Sequence, residues 1–431
     1  MNKQGFSKYY GITFLIGLGF FTMGLMDPLY DTYVPVFLGR FIQSRGIIGS
    51  IMTLDNVFAI FLIPIVAAMS DRTVSPIGRR MPYILITLPL TAVAFGLIPI
   101  SAEFGLVMLI LLIFLLNVFK QAARGPVVAL MPDIIPGDYR SEANGVINTM
   151  GGFAAIIGTV GLARLMDVSI QVPGFGLMKD VLPFPLAGLL VIIATALLFL
   201  FVKEKRGMPS SETEEKVPVR QSLKLILAQE DKSALLILVS LFIWFLGYQG
   251  VLPFIGLYSI EFLGTSTGTA GMAAGMVAIA YAVFAIPSGV IAHKLGRKHV
   301  IRFCLGALTA VLFLLFIHHP LTALLGFSSG LRLYSFWGLM FFFGMFWGSV
   351  ITNSFPMLWQ MASYQDMGIY TGLYYFFSQA SSIAAPPVTG GIIDFLGFRM
   401  IFLFASLCML SALVIMGFVT KGEADQTGQQ Q

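Results

Sequence analysis

Residues 186–202 read LAGLLVIIATALLFLFV, an unbroken apolar stretch between Pro185 and the basic pair Lys203 and Lys205. A run of this length suits about 30 Å of hydrocarbon, where a helix satisfies its own backbone hydrogen bonds. The stretch is one of a series. Apolar runs separated by short polar segments recur along all 431 residues, 57% of which are hydrophobic and only 11% charged. Soluble domains carry about a quarter of their residues charged, so this chain has too little polar surface to coat itself for water. The ten-residue alternation of an outer-membrane barrel is absent. Composition and run length together predict an all-α membrane protein.

Twelve spans are expected, near 11–37, 47–69, 82–101, 105–132, 145–167, 184–202, 233–262, 268–292, 300–318, 333–361, 369–393 and 398–420. The first follows Lys3 and Lys8, is too long for a signal peptide and lacks a small-residue cleavage site, so it reads as a retained span. With both termini in the cytoplasm, most of the 26 Lys and Arg residues fall on inside segments. Outside segments then hold Arg40, Arg45, Lys179, Arg332 and Arg399, which sets the orientation. The pI near 9.1 follows from basic loops beside anionic lipid and needs no nucleic-acid partner. Cys304 and Cys408 lie in separate apolar runs and form no metal motif.

The polar stretch Lys203 to Lys232, with Pro209, Ser210, Ser211, Glu212, Glu214 and Glu215, divides the chain. A six-helix bundle over 1–202, a linker over 203–232 and a second six-helix bundle with a short tail over 233–431 are expected, the two bundles being pseudo-symmetric. Leu223, Ile226 and Leu227 have the spacing of a short surface helix within the linker. The halves echo each other: Ser70-Asp71-Arg72 and Gly78-Arg79-Arg80 follow span 2, while His293-Lys294-Leu295-Gly296-Arg297-Lys298 follow span 8. Pro28 and Pro35 in span 1 and Pro253 in span 7 mark helices expected to break at matching places, a pointer to a midplane site and to rocking of one half against the other.

The turn Ser70-Asp71-Arg72 with Gly78-Arg79-Arg80-Met81-Pro82-Tyr83 resembles the signature between helices 2 and 3 of the major facilitator superfamily. The stretched spacer and the Pro-Tyr after the arginines are similar to the sucrose transporters and the related glycoside-pentoside-hexuronide cation symporters. Leu116-Asn117-Val118 followed by Gly125-Pro126 resembles the helix 4 motif of the sucrose transporters. The resemblance implies a twelve-helix carrier of sugars with a coupling cation, and an inner gate latched by charges. One departure matters: sucrose transporters place their proton-carrying aspartate where this chain has Asn117, and an amide cannot titrate. Asp31, Asp27 or Asp55 would have to take that role, or coupling uses another ion or is missing.

Ionisable groups inside spans are costly unless paired or wetted, so each is a candidate for function. Asp27 and Asp31 stand four apart on one face of span 1, as do Lys120 and Arg124 on span 4. At 1.5 Å per residue Asp27 lies roughly 24 Å and Lys120 roughly 16 Å from the cytoplasmic ends of their spans, so an ion pair between spans 1 and 4 is expected. Asp55 of span 2 lies near Asp31 in depth, and two carboxylates meeting there would favour holding a proton on one of them. The alternative is a buried charge network that fixes helix positions. The second half offers aromatic and amide groups in place of charge. Trp244, Tyr248 and Gln249 lie in span 7, Trp347, Asn353, Trp359 and Gln360 in span 10, and Tyr374, Tyr375 and Gln379 in span 11. Stacking rings with amides suit a neutral polyol. Asp71, Arg72, Arg79, Arg80, Asp133 and Arg140, with Asp138 and Glu142, are expected to form the inner gate, or else a solvated loop. Arg164 and Asp167 read as an interfacial pair, and His318 and His319 as surface residues.

No nucleophile with a base and no metal cluster appears at membrane depth, which argues against an enzyme, and no cofactor is expected. No Walker A motif occurs, so an ion gradient or downhill flow must supply the energy. The expected function is secondary transport of a small polar solute in the plasma membrane, with proton-coupled sugar import preferred and sodium possible as the coupling ion. An exporter of a drug or metabolite and a sugar sensor that does not transport stand as the alternatives.

Overall fold

The computed structural model describes residues 7–136, 139–204, 219–361 and 367–421. The expectations for Asp138, for most of the linker from Lys205 to Pro218 and for the end of the tail lie outside those residues.

Helices dominate, in the order the apolar runs dictate. The first half of the chain forms α1 (Tyr10–Gly39), α2 (Arg45–Met52), α3 (Leu54–Arg72), α4 (Met81–Glu103), α5 (Leu106–Ile134), α6 (Arg140–Ile156) and α7 (Pro183–Phe201). The second half forms α8 (Val219–Ala228), α9 (Ser233–Leu257), α10 (Thr267–Leu295), α11 (Arg297–Leu324), α12 (Ser329–Trp359), α13 (Met367–Leu396) and α14 (Met400–Gly417). Taking α2 with α3 as one span, and including the turns that extend α6 and α9, eleven helices among the described residues are long and apolar enough to cross a membrane. α13 is not among the eleven, since Gln379, three serines, Pro386 and Pro387 dilute its apolar content. Large apolar side chains such as Val107, Phe303, Leu324 and Phe395 are more than two thirds exposed. That surface suits lipid rather than water.

Contacts gather the chain into two compact units. One comprises Met1–Gln43, Leu54–Thr213 and Ile255–Gly275; the other comprises Ser44–Thr53, Glu214–Phe254 and Met276–Gln431. In the first, α1 packs on α6 and α7, α4 on α5 and α7, and α3 on α5. Phe184 of α7 sits among Tyr33, Phe37 and Phe95, with centroids 5.0–6.5 Å apart, all fully buried. In the second, α11 packs on α12 and α14, and α13 packs on α2 and α8.

Helix breaks fall elsewhere than the prolines suggested. α1 runs unbroken through Pro28 and Pro35, and α9 through Pro253 before a π turn at Tyr258–Phe262. The second span is the divided one, at Thr53, where its two pieces join different units. A proline removes one intrahelical hydrogen bond, and neighbouring helices in a bundle can absorb that loss. α11 extends to Leu324, beyond the expected end near 318, so His318 is 4% exposed and bonds Ser335 at 2.8 Å rather than lying on the surface. A short antiparallel ribbon, β1 (Ile170–Val172) with β2 (Gly176–Met178), joins α6 to α7 and is an addition to the all-helical expectation. The repeated basic turns share a backbone feature: Gly78 and Gly296 both adopt positive φ, at 106° and 91°, where a side chain would be strained.

Candidate functional site

α1, α3 and α5 bring five of the expected polar residues together inside the first unit. Lys120 Nζ lies 3.0 Å from Asp27 Oδ1 and 3.6 Å from Asp55 Oδ2. The pair between spans 1 and 4 is therefore present, and Asp55 joins it from α3. The ammonium also sits 4.9 Å from the centre of the Tyr30 ring, a cation–π contact. The lysine side chain is 7% exposed, Asp55 19% and Asp27 36%, so the ammonium is buried while its partners still reach open space. Asn117, fully buried one helical turn before Lys120, donates from Nδ2 to the Tyr30 hydroxyl at 2.9 Å. This amide thus holds the tyrosine against the lysine, and its own Oδ1 has no partner among the described residues.

Asp31 stands one turn beyond Asp27, within electrostatic reach of Asp27, Asp55 and Lys120. Among the described residues it has no hydrogen bond or ion pair. Arg124 is exposed and reaches Asp55 only through space. Three carboxylates therefore face one buried ammonium. A buried charge needs at least one counter-charge, and here Lys120 has two in contact and a third nearby. Such a cluster can release one carboxylate to bind a proton, a cation or a hydroxyl-bearing solute without stranding the lysine.

In the second unit α9 and α12 build an aromatic wall. Tyr248 stacks on Trp347 with centroids 3.8 Å apart and planes 6° from parallel, and Phe245 meets the same indole edge-on at 5.3 Å. Gln249 donates to Ser382 of α13 at 3.0 Å. Trp244 is fully buried, a packing residue whose indole N–H lacks an acceptor among the described residues. Asn353 turns its amide back onto the Ser349 carbonyl at 2.8 Å, as a helix interior favours. Tyr374 meets Ser354 at 3.0 Å and packs with Phe355 and Tyr375, a second group separate from the Tyr248 stack. Gln379 is half-buried on α13. The sequence indicated Trp244, Tyr248, Gln249, Trp347, Asn353, Tyr374, Tyr375 and Gln379, but neither Phe245, Phe355 and the serines beside them nor the division into a core tryptophan, a stack and a second cluster.

The basic turn after α3 forms a dense network in the first unit. Asp133 accepts from Arg79 Nη2 at 2.5 Å and Nε at 3.1 Å, and from Arg80 Nε at 2.9 Å. Arg80, 4% exposed, also donates to Ser70 Oγ at 2.6 Å and to Asp71. Arg140 instead donates to the carbonyls of Pro132 and Ile135, at 2.8 and 3.2 Å, closing the end of α5. Arg72 is exposed and has no ion pair among the described residues. Glu204, which sequence reading left out, accepts the backbone N–H of Arg80 at 2.9 Å and of Met81 at 3.2 Å, and so caps α4. A carboxylate at a helix start satisfies free N–H groups and the helix dipole together. Its sole sequence signal was an acid beside the basic segment after span 6. Arg164 and Asp167 do not pair with each other; Asp167 instead accepts from Ser266 at 2.7 Å and from the Gly268 N–H at 3.1 Å.

A helical membrane protein with buried charge between its helices has the character of a membrane transporter. The chain belongs to the Major Facilitator Superfamily, whose family description matches residues 11–386 and 260–430. Proteins of this family are generally transporters and not enzymes. No curated protein sequence matches. Among solved structures the chain is similar to a bacterial homologue of the human lysosomal transporter Spinster, with TM-score 0.70, 14% identity and coverage of 95% of this chain and 97% of that one. It is similar to a nucleoside transporter at TM-score 0.70 and 11% identity, covering 94% and 99%. It is also similar to a D-xylose-proton symporter at TM-score 0.66 and 13% identity, covering 96% and 98%. At such identities the likeness is one of fold.

Proposed function

We propose that this chain is a secondary carrier working by alternating access, which imports a small glycoside or disaccharide together with protons. Twelve membrane crossings, α13 included, form two six-helix bundles in the plasma membrane with both termini in the cytoplasm, as the distribution of basic residues favours. The observation that carries the reading is the sharing of Lys120 between Asp27 and Asp55, with Asp31 beside them making no ion pair among the described residues. Protonation of Asp31 or Asp55 changes which carboxylate holds the lysine and which is free for solute hydroxyls. Asn117 supplies no proton, so titration falls to the aspartates of α1 and α3.

The stack of Tyr248 on Trp347 with Gln249 alongside provides an apolar ring face and an amide, the pair a sugar needs. Resemblance to a D-xylose-proton symporter agrees with the sugar and proton assignments, while the nucleoside transporter supplies the rival solute, since a nucleobase also stacks and a ribose also carries hydroxyls. Arg79, Arg80, Asp71 and Asp133 latch the cytoplasmic end.

Uptake into proteoliposomes under an imposed proton or sodium gradient, with a panel of labelled glycosides, disaccharides, pentoses and nucleosides, tests this. Accumulation of a glycoside or disaccharide that a protonophore abolishes is expected. Accumulation driven by sodium alone, or of nucleosides alone, would replace the coupling ion or the solute. Movement of none of them would end the carrier reading.

A further inference from the structure

At the end of α11 opposite the basic turn at Gly296, a cleft of about 300 Å³ opens between α11, the loop after it and α12. Leu321, Leu325, Leu339 and Phe342 make its wall apolar. Leu325 is 59% and Phe342 47% exposed, so the mouth opens on the lipid-facing surface. Gly338 lines the cleft as well, and a Cβ there would meet no atom within 4 Å, so the missing side chain keeps the space open. Small-molecule sites run from about 300 to 1,000 Å³, and this cleft falls at the lower end.

Two buried polar atoms at this apolar cleft have no partner among the described residues. His318 lines the cleft at 4% exposed, and its ring meets Ser335 through Nε2 at 2.8 Å. The Ser335 hydroxyl gives its proton to the Arg332 carbonyl at 2.9 Å, so it accepts from the ring and Nε2 carries the hydrogen. Nδ1 of the neutral ring is then a bare acceptor, buried and unpartnered among the described residues. Leaving such an acceptor open is costly, and a hydroxyl would satisfy it. Arg332, one turn before Ser335, has a buried Nε that likewise lacks a partner among the described residues. It acts electrostatically on His318 and His319, and Arg399 acts on His319, with no carboxylate beside the histidines among the described residues. The unmatched charge at this edge is positive.

We propose that this cleft binds an anionic, hydroxyl-bearing phospholipid of the bilayer, of the phosphatidylglycerol kind. An acyl chain fills the apolar part and a headgroup hydroxyl donates to His318 Nδ1. The phosphate pairs with the Arg332 guanidinium, a charge-assisted contact at the membrane boundary. A lipid chain alone would leave Nδ1 and Arg332 unpaired, and a free phosphate would leave the apolar wall empty. The site lies within the second unit and shares no residue with the Lys120 cluster, so it stands apart from the carrier reading.

The test is native mass spectrometry of the full-length protein in detergent, titrated in turn with four probes. These are phosphatidylglycerol, phosphatidylethanol, which is anionic but has no headgroup hydroxyl, phosphatidylcholine and soluble glycerol phosphate. The parent is expected to hold phosphatidylglycerol roughly tenfold more tightly than phosphatidylethanol, the worth of one buried hydrogen bond, and more tightly still than phosphatidylcholine. Arg332→Gln should cost phosphatidylglycerol roughly tenfold in affinity and remove the preference for an anionic headgroup. His318→Gln, whose amide can still donate to Ser335, should erase the preference over phosphatidylethanol alone. Gly338→Leu fills the cleft and should weaken every lipid, and thermal melting checks that each variant is folded. Equal affinity of the parent for phosphatidylglycerol and phosphatidylcholine would overturn the proposal. So would unchanged binding in folded Arg332→Gln and Gly338→Leu, or glycerol phosphate binding as tightly as the lipid, which would make this a site for free phosphate.

Discussion

Lys120 of α5 holds Asp27 of α1 at 3.0 Å with its ammonium almost fully buried, and Asp55 of α3 waits 0.6 Å farther off, at 3.6 Å. Either carboxylate can serve as counter-charge when the other is neutral. Asp27→Asn and Asp55→Asn are each expected to fold with modest loss of thermal stability. Asp27→Asn/Asp55→Asn should cost about 3 kcal/mol or more, because it leaves the buried lysine without a contacting acid. Melting of the two single variants and the double variant shows whether the losses exceed additivity.

Asp31 makes no ion pair among the described residues, so its amide should spare folding and strike coupling. Asp31→Asn is expected to retain solute exchange across the membrane while losing most of its accumulation under a proton gradient. Counterflow and gradient-driven uptake, measured side by side, separate the two. If Asp31→Asn and Asp55→Asn both still concentrate solute, protons are not handled here.

Trp347 offers its face to Tyr248. Trp347→Ala removes the stack, and an aromatic contact is worth about 0.5–1.5 kcal/mol beyond burial, so apparent affinity should fall by roughly three- to tenfold. Trp347→Phe should recover much of it. Solute-dependent quenching of tryptophan fluorescence or uptake at graded concentration reads the change.

Glu204 caps α4 through two backbone N–H groups. Glu204→Ala should lower stability by about 1 kcal/mol, as cap removals do, and Glu204→Gln by less. Asp133→Ala should cost more than either, because it strips both Arg79 and the buried Arg80 of a shared acceptor. Thermal shifts of the three variants give the order.

Asp180, in the loop before α7, has its carboxyl pushed above the ordinary range by burial, against the pull of the Arg40 guanidinium 3.1 Å away. A raised carboxyl contributes stability at low pH that is lost as pH climbs from the ordinary aspartate value, near 3.8, through the raised one. The residue has φ of 63°, a conformation asparagine tolerates well. Asp180→Asn should therefore compare more favourably with the parent at neutral pH than near the ordinary aspartate value of 3.8, and melting at both measures the difference.

The chain's membrane character, its helical class and eleven of its twelve expected spans were readable from apolar run length alone, because lipid leaves the backbone few other choices; the span expected at 369–393 forms a helix too diluted by polar residues to count among them. The Asp27–Lys120 pair was readable too, since the depth of a residue in a span follows from counting at a fixed rise. The proline positions misled, because whether a helix breaks depends on the neighbours that compensate the lost bond. His318 was misplaced for a related reason: the end of an apolar run does not mark the end of its helix.

Sequence by itself marked eleven helices, among the described residues, as apolar enough to cross lipid and spaced the charges along them, both being local properties of the chain. Tertiary structure decided that Asp55 shares Lys120, that Glu204 caps α4, and that Asp167 and Asp394 each seize a helix start some hundred residues or more away. Those partnerships depend on lateral packing and rotation of helices about their axes, which close contacts determine and span-by-span counting along the chain does not encode.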